Sequence, residues 1–447
     1  MNAGIYIHTP FCRSRCSYCD FATGMFESDM ADRYVRAVVA EISRWSEVEP
    51  SAAIDTIYFG GGTPSLLTAE QLGSILDAVR GAVRTPLAGS MPEACVPTFD
   101  VAPNAEITLE INPGDGGTSL EGARPSQAAK RAQHAQERGH PWPHEREARK
   151  ILFDPSGSER AMHAQAGKDA RAPFFRDLRR LGINRASFGA QTFDDRELKM
   201  LGRTHDSGDI SKTFQRLRDA GFDNINFDLI AALPGQTMEG WKRNLDEALQ
   251  LGAEHLSLYL LDVHEGTPLH DQINRGMRPQ PDEDLAAEMY ALMIERVCAA
   301  GYEHYEISNF CLPGFESRHN TKYWSGAPYY GFGNSAHSYD GARRRWANER
   351  DVAKYGALVE RSDSAIVERT ELTEEDARSE AIFLGLRLMC GIDLNSYRAR
   401  FGTNLREQFN GELDRLEAAG LVAIDEQRLK LTTRGALLSN EVLAIFV

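Results

Sequence analysis

The segment YIHTPFCRSRCSYCDF, Tyr6 to Phe21, carries Cys12, Cys16 and Cys19 in the spacing C-x3-C-x2-C, and no fourth cysteine stands near them. A structural zinc or a closed iron–sulfur site takes four protein ligands. A cluster held by three thiolates instead leaves one iron open to a substrate or cofactor. The spacing therefore predicts a metal site with an open coordination position.

A chain of 447 residues is long for one ordinary core, which predicts a large catalytic domain with a smaller one. With 42% hydrophobic and 26% charged residues the composition is that of a globular protein. A formal charge of -15 leaves no basic excess to neutralise phosphates, so no nucleic-acid partner is expected. No apolar run reaches bilayer length, and MNAGIYIHTPFC lacks the charged-then-apolar order of a signal peptide, so the expected address is cytoplasmic. The seven cysteines are odd in number, with Cys95, Cys298, Cys311 and Cys390 scattered, which suits a reducing compartment.

Apolar, β-favouring runs alternate with amphipathic stretches along the chain. The runs GIYIH from Gly4, IDTIYF from Ile54, ITLEI from Ile107, INRASFG from Ile183, NINFDLI from Asn224 and HLSLYLL from His255 read as strands. Tyr34, Val38, Ile42 and Trp45 share one helix face, as do Leu72, Ile75, Leu76 and Val79. Thr68, three residues before Gln71, predicts a capping box at the start of the second helix. The repeated strand–helix order predicts an α/β fold, a parallel sheet either doubly wound or curled into a barrel. Glu110 and Asp228 fall late in their strands, and the C-terminal rim of a parallel barrel carries its chemistry.

Residues from about 114 to 170 are rich in Gly, Ala, Arg, Gln and His, and read as an inserted loop. Its His134, His140, His144 and His163 have no regular ligand spacing and read as solvated. The stretch around Pro86, Pro92, Pro97 and Pro103 reads as another surface excursion. The organisation expected is a barrel over 1–265, a capping region over 266–368 and a C-terminal domain over 369–447. In the last, a helix behind Thr373 is followed by two helices and a two-stranded wing, the order of a winged helix. Its REQFNGELDRLEAAGL segment is acidic where a DNA-reading helix is basic, so packing against its own barrel or a partner protein is expected.

In YFGGGTPS, Gly60, Gly61 and Gly62 follow a strand, which predicts backbone N–H groups open to an anionic or amino-acid group. The turn lacks the spacing of a dinucleotide-binding loop and the lysine of a P-loop. With CRSRCSYC, LEINP, FGAQTFDD, LGRTHD and NFDLIAALPGQT, it resembles the radical S-adenosylmethionine enzymes, in their coproporphyrinogen-dehydrogenase-like branch. The resemblance covers nearly the whole chain apart from the insert. It implies a partial (β/α)6 barrel of the TIM type, with Cys12, Cys16 and Cys19 holding a 4Fe-4S cluster. S-adenosylmethionine would bind the open iron and be cleaved to a 5′-deoxyadenosyl radical. It also assigns Tyr6, Gly61, Gly62, Thr63, Glu110, Gln191, Arg203 and Asp228 to nucleoside binding, the carboxylates accepting from ribose hydroxyls or the amino group and Arg203 pairing with the carboxylate.

Two departures bear on the branch. The oxygen-independent coproporphyrinogen oxidases carry a further cysteine where this chain has Phe21, and a long stretch ahead of the cluster loop. Both absences argue against decarboxylase activity. The pattern H-N-x-x-Y-W at His319, Asn320, Tyr323 and Trp324 resembles the signature of the HemW-type haem chaperones. That resemblance implies haem as cargo, delivered to haem proteins such as respiratory cytochromes, and leaves membrane-associated clients and a homodimer open. It makes His319 a candidate axial ligand, with Tyr323 and Trp324 over the porphyrin face and His337 as a competitor. Without a C-x-x-C-H motif, covalent attachment is not expected. The rivals are a coproporphyrinogen III dehydrogenase that oxidatively decarboxylates two propionates, and a structural zinc protein in which His8 completes the three cysteines.

Overall fold

The computed structural model describes residues 1–45, 53–81, 99–114 and 171–446. The expected insert with its histidines, Cys95, and the stretch at Pro86, Pro92 and Pro97 lie outside them. Six parallel strands form the centre: β1 (Ala3–Thr9), β2 (Ile54–Gly61), β3 (Val101–Ile111), β4 (Arg185–Gln191), β5 (Ile225–Ala231) and β6 (His255–Leu260). They pair in chain order, as right-handed strand–helix–strand units require. All six strands expected from sequence are present, and among the described residues the sheet does not close, so the barrel is partial.

The region read as a cap does more than cap. Tyr329–Phe332 joins β1 in parallel and continues into three antiparallel strands, His337–Tyr339, Arg344–Asn348 and Ile366–Glu371. At the other edge β6 pairs antiparallel with Asn309–Cys311, which pairs in turn with Glu303–Glu306. The result is one twelve-stranded sheet whose central strands have both faces occupied.

Side chains alternate along a strand, so each central strand offers two faces. The outer face is apolar: Ile5, Ile57, Leu109, Phe188, Phe227 and Leu258 are buried beneath the helices. The inner face is polar, with Glu110, Arg185, Ser187, Asn226, Asp228 and Ser257 bordering one cavity. Parallel strands ordinarily bury apolar residues on both faces. A polar lumen therefore marks where the fold gives up core packing.

The helices are set by local signals. In Ser28–Ser43, Tyr34, Val38 and Ile42 are buried, and Trp45 just beyond packs edge-on against Phe332 at 5.0 Å. In Ala69–Arg80, Thr68 Oγ1 accepts from Gln71 N–H and Gln71 accepts from Thr68 N–H, the expected capping box, and Gly81 closes the helix at φ 67°. Pro103 is an exception to the surface excursion. It sits in the first turn of β3, where the register against β2 slips between Ile54 and Thr56, and a strand admits proline at such an irregularity.

At the C-terminal end, Thr373 caps Glu374–Gly385, followed by Leu394–Phe401, Leu405–Gln408 and Asn410–Ala418. The segment expected as one helix is broken at Phe409. The wing strands Val422–Ile424 and Arg428–Leu431 pair as expected, with Ile392–Asp393 as a third. This domain rests on the barrel's edge: Ile307 N–H donates to Arg387 C=O and Met389 N–H to Tyr305 C=O, and the Arg387 guanidinium lies 4.3 Å from the Trp324 ring centre. Among the described residues no helix is long and apolar enough to cross a membrane.

Thr68→Ala removes the oxygen of the capping box and is expected to lower unfolding stability by about 1 kcal/mol. Chemical denaturation should show a lower midpoint with an unchanged slope; an unchanged midpoint would contradict the role given to the cap.

Candidate functional site

The three cysteines lie in the loop that leaves the C-terminal end of β1. This loop has almost no secondary structure, only the two-residue pairing of Phe11–Cys12 with Gly24–Met25, so its shape depends on what holds its backbone. Gly62 N–H donates to Thr9 C=O and Thr63 N–H to Phe11 C=O, both at 2.7 Å. Ser17 N–H donates to Leu201 C=O at 2.9 Å, and Leu269 N–H to Ser17 C=O at 2.8 Å. His8, on β1, bridges Tyr6 OH through Nδ1 and Ala22 C=O through Nε2, each at 3.1 Å. The loop is thus fixed at its beginning, middle and end.

This corrects the expected use of the glycine turn. Gly61 N–H donates to Glu110 Oε2 at 3.1 Å, so the N–H groups of Gly61, Gly62 and Thr63 are all spent inside the protein. The glycines serve close approach: a Cβ on Gly62 would stand 2.6 Å from Phe11 C=O, and one on Gly61 would stand 2.5 Å from the His8 ring. Gly61 also adopts φ 111°, a left-handed conformation open to glycine.

Cys12, Cys16 and Cys19 border one cavity of about 150 Å³. Gly61, Gly62, Thr63, Glu110, Gln191, Arg203 and Asp228 line it too, so the structure brings together most of the residues expected from sequence. Their arrangement suits sulfur ligands. Arg203 Nη1 donates to Cys16 Sγ at 3.4 Å and Thr63 Oγ1 to Cys12 Sγ at 3.8 Å, contacts that favour thiolates. Burial pushes the Cys12 and Cys19 thiols up; Thr63 and Arg203 oppose that at Cys12 and the Phe21 backbone opposes it at Cys19, and a bound metal would oppose it at both. Arg203 is itself oriented by Nη2, which donates to Asn112 Oδ1 and Gly189 C=O, both at 2.8 Å.

No other described cysteine lines this cavity, and Cys298 and Cys390 are exposed while Cys311 is buried elsewhere. Among the described residues no three His, Cys, Asp or Glu side chains converge tightly enough for a single metal ion. A cluster differs in that each thiolate binds its own corner iron. The donor set therefore fits a three-cysteine cluster, which Cys12, Cys16 and Cys19 would hold and which would supply an electron to a ligand bound beside them. His8 has both ring nitrogens engaged away from the cysteines, which removes the fourth ligand of the zinc reading.

The acceptors around the open side are buried carboxyls. Burial, with Asp228 nearby, raises the Glu110 pKa to about 7 against the donors Tyr58 OH, at 2.8 Å from Oε1, and Gly61 N–H. Burial raises Asp228 as well, opposed by Asn226 Nδ2 donating to Oδ1 at 2.7 Å. Gln191 ends β4 at φ 66°, a strained backbone for a non-glycine residue, which turns the chain at the rim.

Two expected site residues stand apart. Tyr6 lies beneath Gly60 with its hydroxyl on His8 and its ring 6.2 Å from Tyr58, so it supports the loop and does not line the cavity. His319 is 1% exposed at the opposite, N-terminal end of the barrel. It belongs to the helix Arg318–Ser325, whose first N–H groups, of Arg318 and His319, donate to the Glu106 carboxylate at 3.2 and 3.1 Å. Its Nδ1 is 2.9 Å from Thr56 Oγ1 and its Nε2 is 2.9 Å from Tyr323 OH. Burial, with Lys322 nearby, lowers its pKa to about 3, so it stays neutral. Neither nitrogen is free for iron, and the expectation of an axial ligand is corrected: His319 locks a helix that plugs the barrel. Lys322 Nζ, 2.6 Å from Asp55, strengthens the plug. His337, its competitor, is exposed on a strand of the sheet extension.

Sequence reading missed Tyr18, Asn112, Ser187 and Gly189 of the cluster cavity. The signal was available, since Thr108 and Glu110 alternate along β3, leading to Asn112 just past its end, as Arg185, Ser187, Gly189 and Gln191 alternate along β4.

Gly62→Ala forces a Cβ against the Phe11 carbonyl and displaces the loop. Anaerobic reconstitution should then give much less iron and sulfide per chain with far-ultraviolet dichroism unchanged. Full cluster content would contradict the clamp.

Comparison with known proteins agrees with this architecture. The radical SAM superfamily model matches residues 6–121 and 145–248, and the HemN C-terminal domain model matches residues 372–438. The chain is 32% identical to the haem chaperone HemW of Bacillus subtilis, over 99% of this chain and 98% of that protein. It is also 32% identical to the haem chaperone HemW of Mycobacterium tuberculosis, over 98% and 93% of the two chains. The solved structure of the radical SAM enzyme coproporphyrinogen III oxidase (HemN) from Escherichia coli shares the fold, with a TM-score of 0.73 and 20% identity over 100% of this chain and 90% of that one. The 32% identity over nearly the full length of those relatives, the three-cysteine loop at the barrel rim and the appended C-terminal domain together place the chain in the HemW family of radical S-adenosylmethionine proteins.

Proposed function

We propose that the protein carries haem, in a fold that also holds a 4Fe-4S cluster and S-adenosylmethionine, and that it delivers haem to client haem proteins such as respiratory cytochromes. The observation that carries this reading is identity over almost the whole length of proteins named haem chaperones. Phe21 supports it: where the decarboxylase branch carries a cysteine, this apolar ring stands 62% exposed at the mouth of the barrel. An exposed aromatic beside a metal site suits contact with a flat apolar cargo.

Within the site, Glu110 and Asp228 would accept from the nucleoside's hydroxyl or amino groups, while Arg203 orients Cys16 and faces the amino-acid end. Asn112 keeps that guanidinium in place. The plug helix closes the far end of the barrel, so ligands enter from the rim beside the cluster loop.

The discriminating experiment incubates the anaerobically reconstituted protein with S-adenosylmethionine, reductant and coproporphyrinogen III. No protoporphyrinogen is expected, and its formation would move the protein to the dehydrogenase reading. His319→Ala should leave the Soret band of bound haem in place while lowering the melting temperature; a shifted band with unchanged melting would restore His319 as a ligand.

The Glu110 carboxyl gives a pH dependence of definite sign. Its pKa near 7 means that it is a carboxylate above that pH and protonated below it. S-adenosylmethionine should therefore bind more weakly as pH falls from 8 to 6, by up to about tenfold per unit below the pKa. Equilibrium titrations should show this slope, and Glu110→Gln should flatten it. A slope unchanged by that substitution would remove Glu110 as the titrating acceptor.

A further inference from the structure

Arg185 lies on β4 with its side chain turned into the lumen, and the residue is 1% exposed. A charged side chain so deep is normally paired, because desolvating an ion is costly unless another charge or several hydrogen bonds replace water. Among the described residues no carboxylate lies within ion-pair distance of Arg185, and its Nε has no hydrogen-bond partner. The carboxylates of the lumen are committed elsewhere. Glu106 accepts from the plug helix, Glu110 from Tyr58 and Gly61, and Asp228 from Asn226.

The guanidinium borders a cavity of about 360 Å³ beside the cluster cavity, with Cys19 and Glu110 lining both. Around Arg185 the walls are polar, from Ser187, Asn226 and Ser257, and the same cavity holds the carboxyls of Glu110 and Asp228, each already hydrogen-bonded within the protein. Farther out the lining adds apolar surface from Leu261, Phe21 at 62% exposure and Tyr259 at 40%, beside the polar Asp20, Asp262 and His264. A buried guanidinium without an ion-pair partner, with exposed aromatic rings on the same cavity, suits an amphipathic molecule with an acidic end: the acid reaches the cation, and the apolar body stays against the rings. The volume suits a carboxylate arm and the edge of a ring better than a whole macrocycle.

We propose that Arg185 anchors a propionate arm of the tetrapyrrole cargo inside the barrel, with the macrocycle lying against Phe21 and Tyr259 beside the cluster. The inference rests on the haem-carrying reading and names how that cargo is held. A planar guanidinium forks onto a carboxylate through two parallel N–H bonds, which gives orientation as well as charge pairing. The same chemistry could come from the α-carboxylate of an amino acid, and the test separates the two.

The full chain is titrated, by fluorescence quenching, with free-base protoporphyrin IX and with its dimethyl ester. The native protein should prefer the diacid by about tenfold or more, and Arg185→Gln should bring the diacid to the level of the ester. S-adenosylmethionine affinity should change less than about threefold in the same variant. If Arg185→Gln does not fold, Arg185→Lys takes its place: a charge without the fork should cut the preference several-fold, and an unchanged preference overturns the proposal. Equal native binding of acid and ester overturns the anchor and leaves the haem reading standing. Binding of neither porphyrin overturns the haem reading and the anchor with it. Loss of S-adenosylmethionine binding with the diacid preference intact assigns Arg185 to an amino-acid carboxylate and overturns the proposal.

Discussion

The site depends on two backbone hydrogen bonds, from Gly62 N–H to Thr9 C=O and from Thr63 N–H to Phe11 C=O. The loop bearing Cys12, Cys16 and Cys19 has little regular structure, so without those bonds its thiols would have no fixed relation to the barrel. A side chain at Gly62 would occupy the space they need. Three thiolates must meet three corners of one rigid cluster, and a loop free to wander would sacrifice that fit to conformational entropy. The glycine turn therefore holds the metal loop first and borders the ligand cavity second.

A polar lumen follows from the same demand. Parallel strands gain most by burying both faces, yet here the inner face carries Glu110, Arg185, Ser187, Asn226, Asp228 and Ser257. Each must find partners or stay costly. The fold meets most of that cost internally, with Tyr58 and Gly61 on Glu110 and with Asn226 on Asp228. It closes the far end with a helix whose N-terminus sits on Glu106 and whose His319 is bonded on both nitrogens. Stability and binding thus divide along the barrel: the N-terminal end is sealed and the C-terminal end is open.

Much of this was legible in the sequence because the signals are local. Strand order, the faces of Ser28–Ser43 and Ala69–Arg80, the Thr68 cap and the three-cysteine loop each need only neighbouring residues to be read. What stayed hidden depends on residues far apart in the chain. His319 carries a family signature, and its role as a plug becomes visible only when Thr56 and Glu106 are brought to it. The turn at Gly60–Gly62 read as a ligand cradle because its acceptors, Thr9 and Phe11, lie some fifty residues upstream. Arg185 stands in an alternating strand, but nothing local says that no carboxylate comes within ion-pair distance of it.

With three protein thiolates and no fourth ligand among the described residues, a 4Fe-4S cluster in this loop would keep one iron open to S-adenosylmethionine. Mössbauer spectroscopy on the chain reconstituted with iron-57 tests it most directly, recorded before and after S-adenosylmethionine is added. About a quarter of the iron signal, the share of a single corner, should shift on addition while the rest stays unchanged. Four irons indifferent to the addition, or a protein that takes up zinc in place of an iron–sulfur cluster, would contradict it.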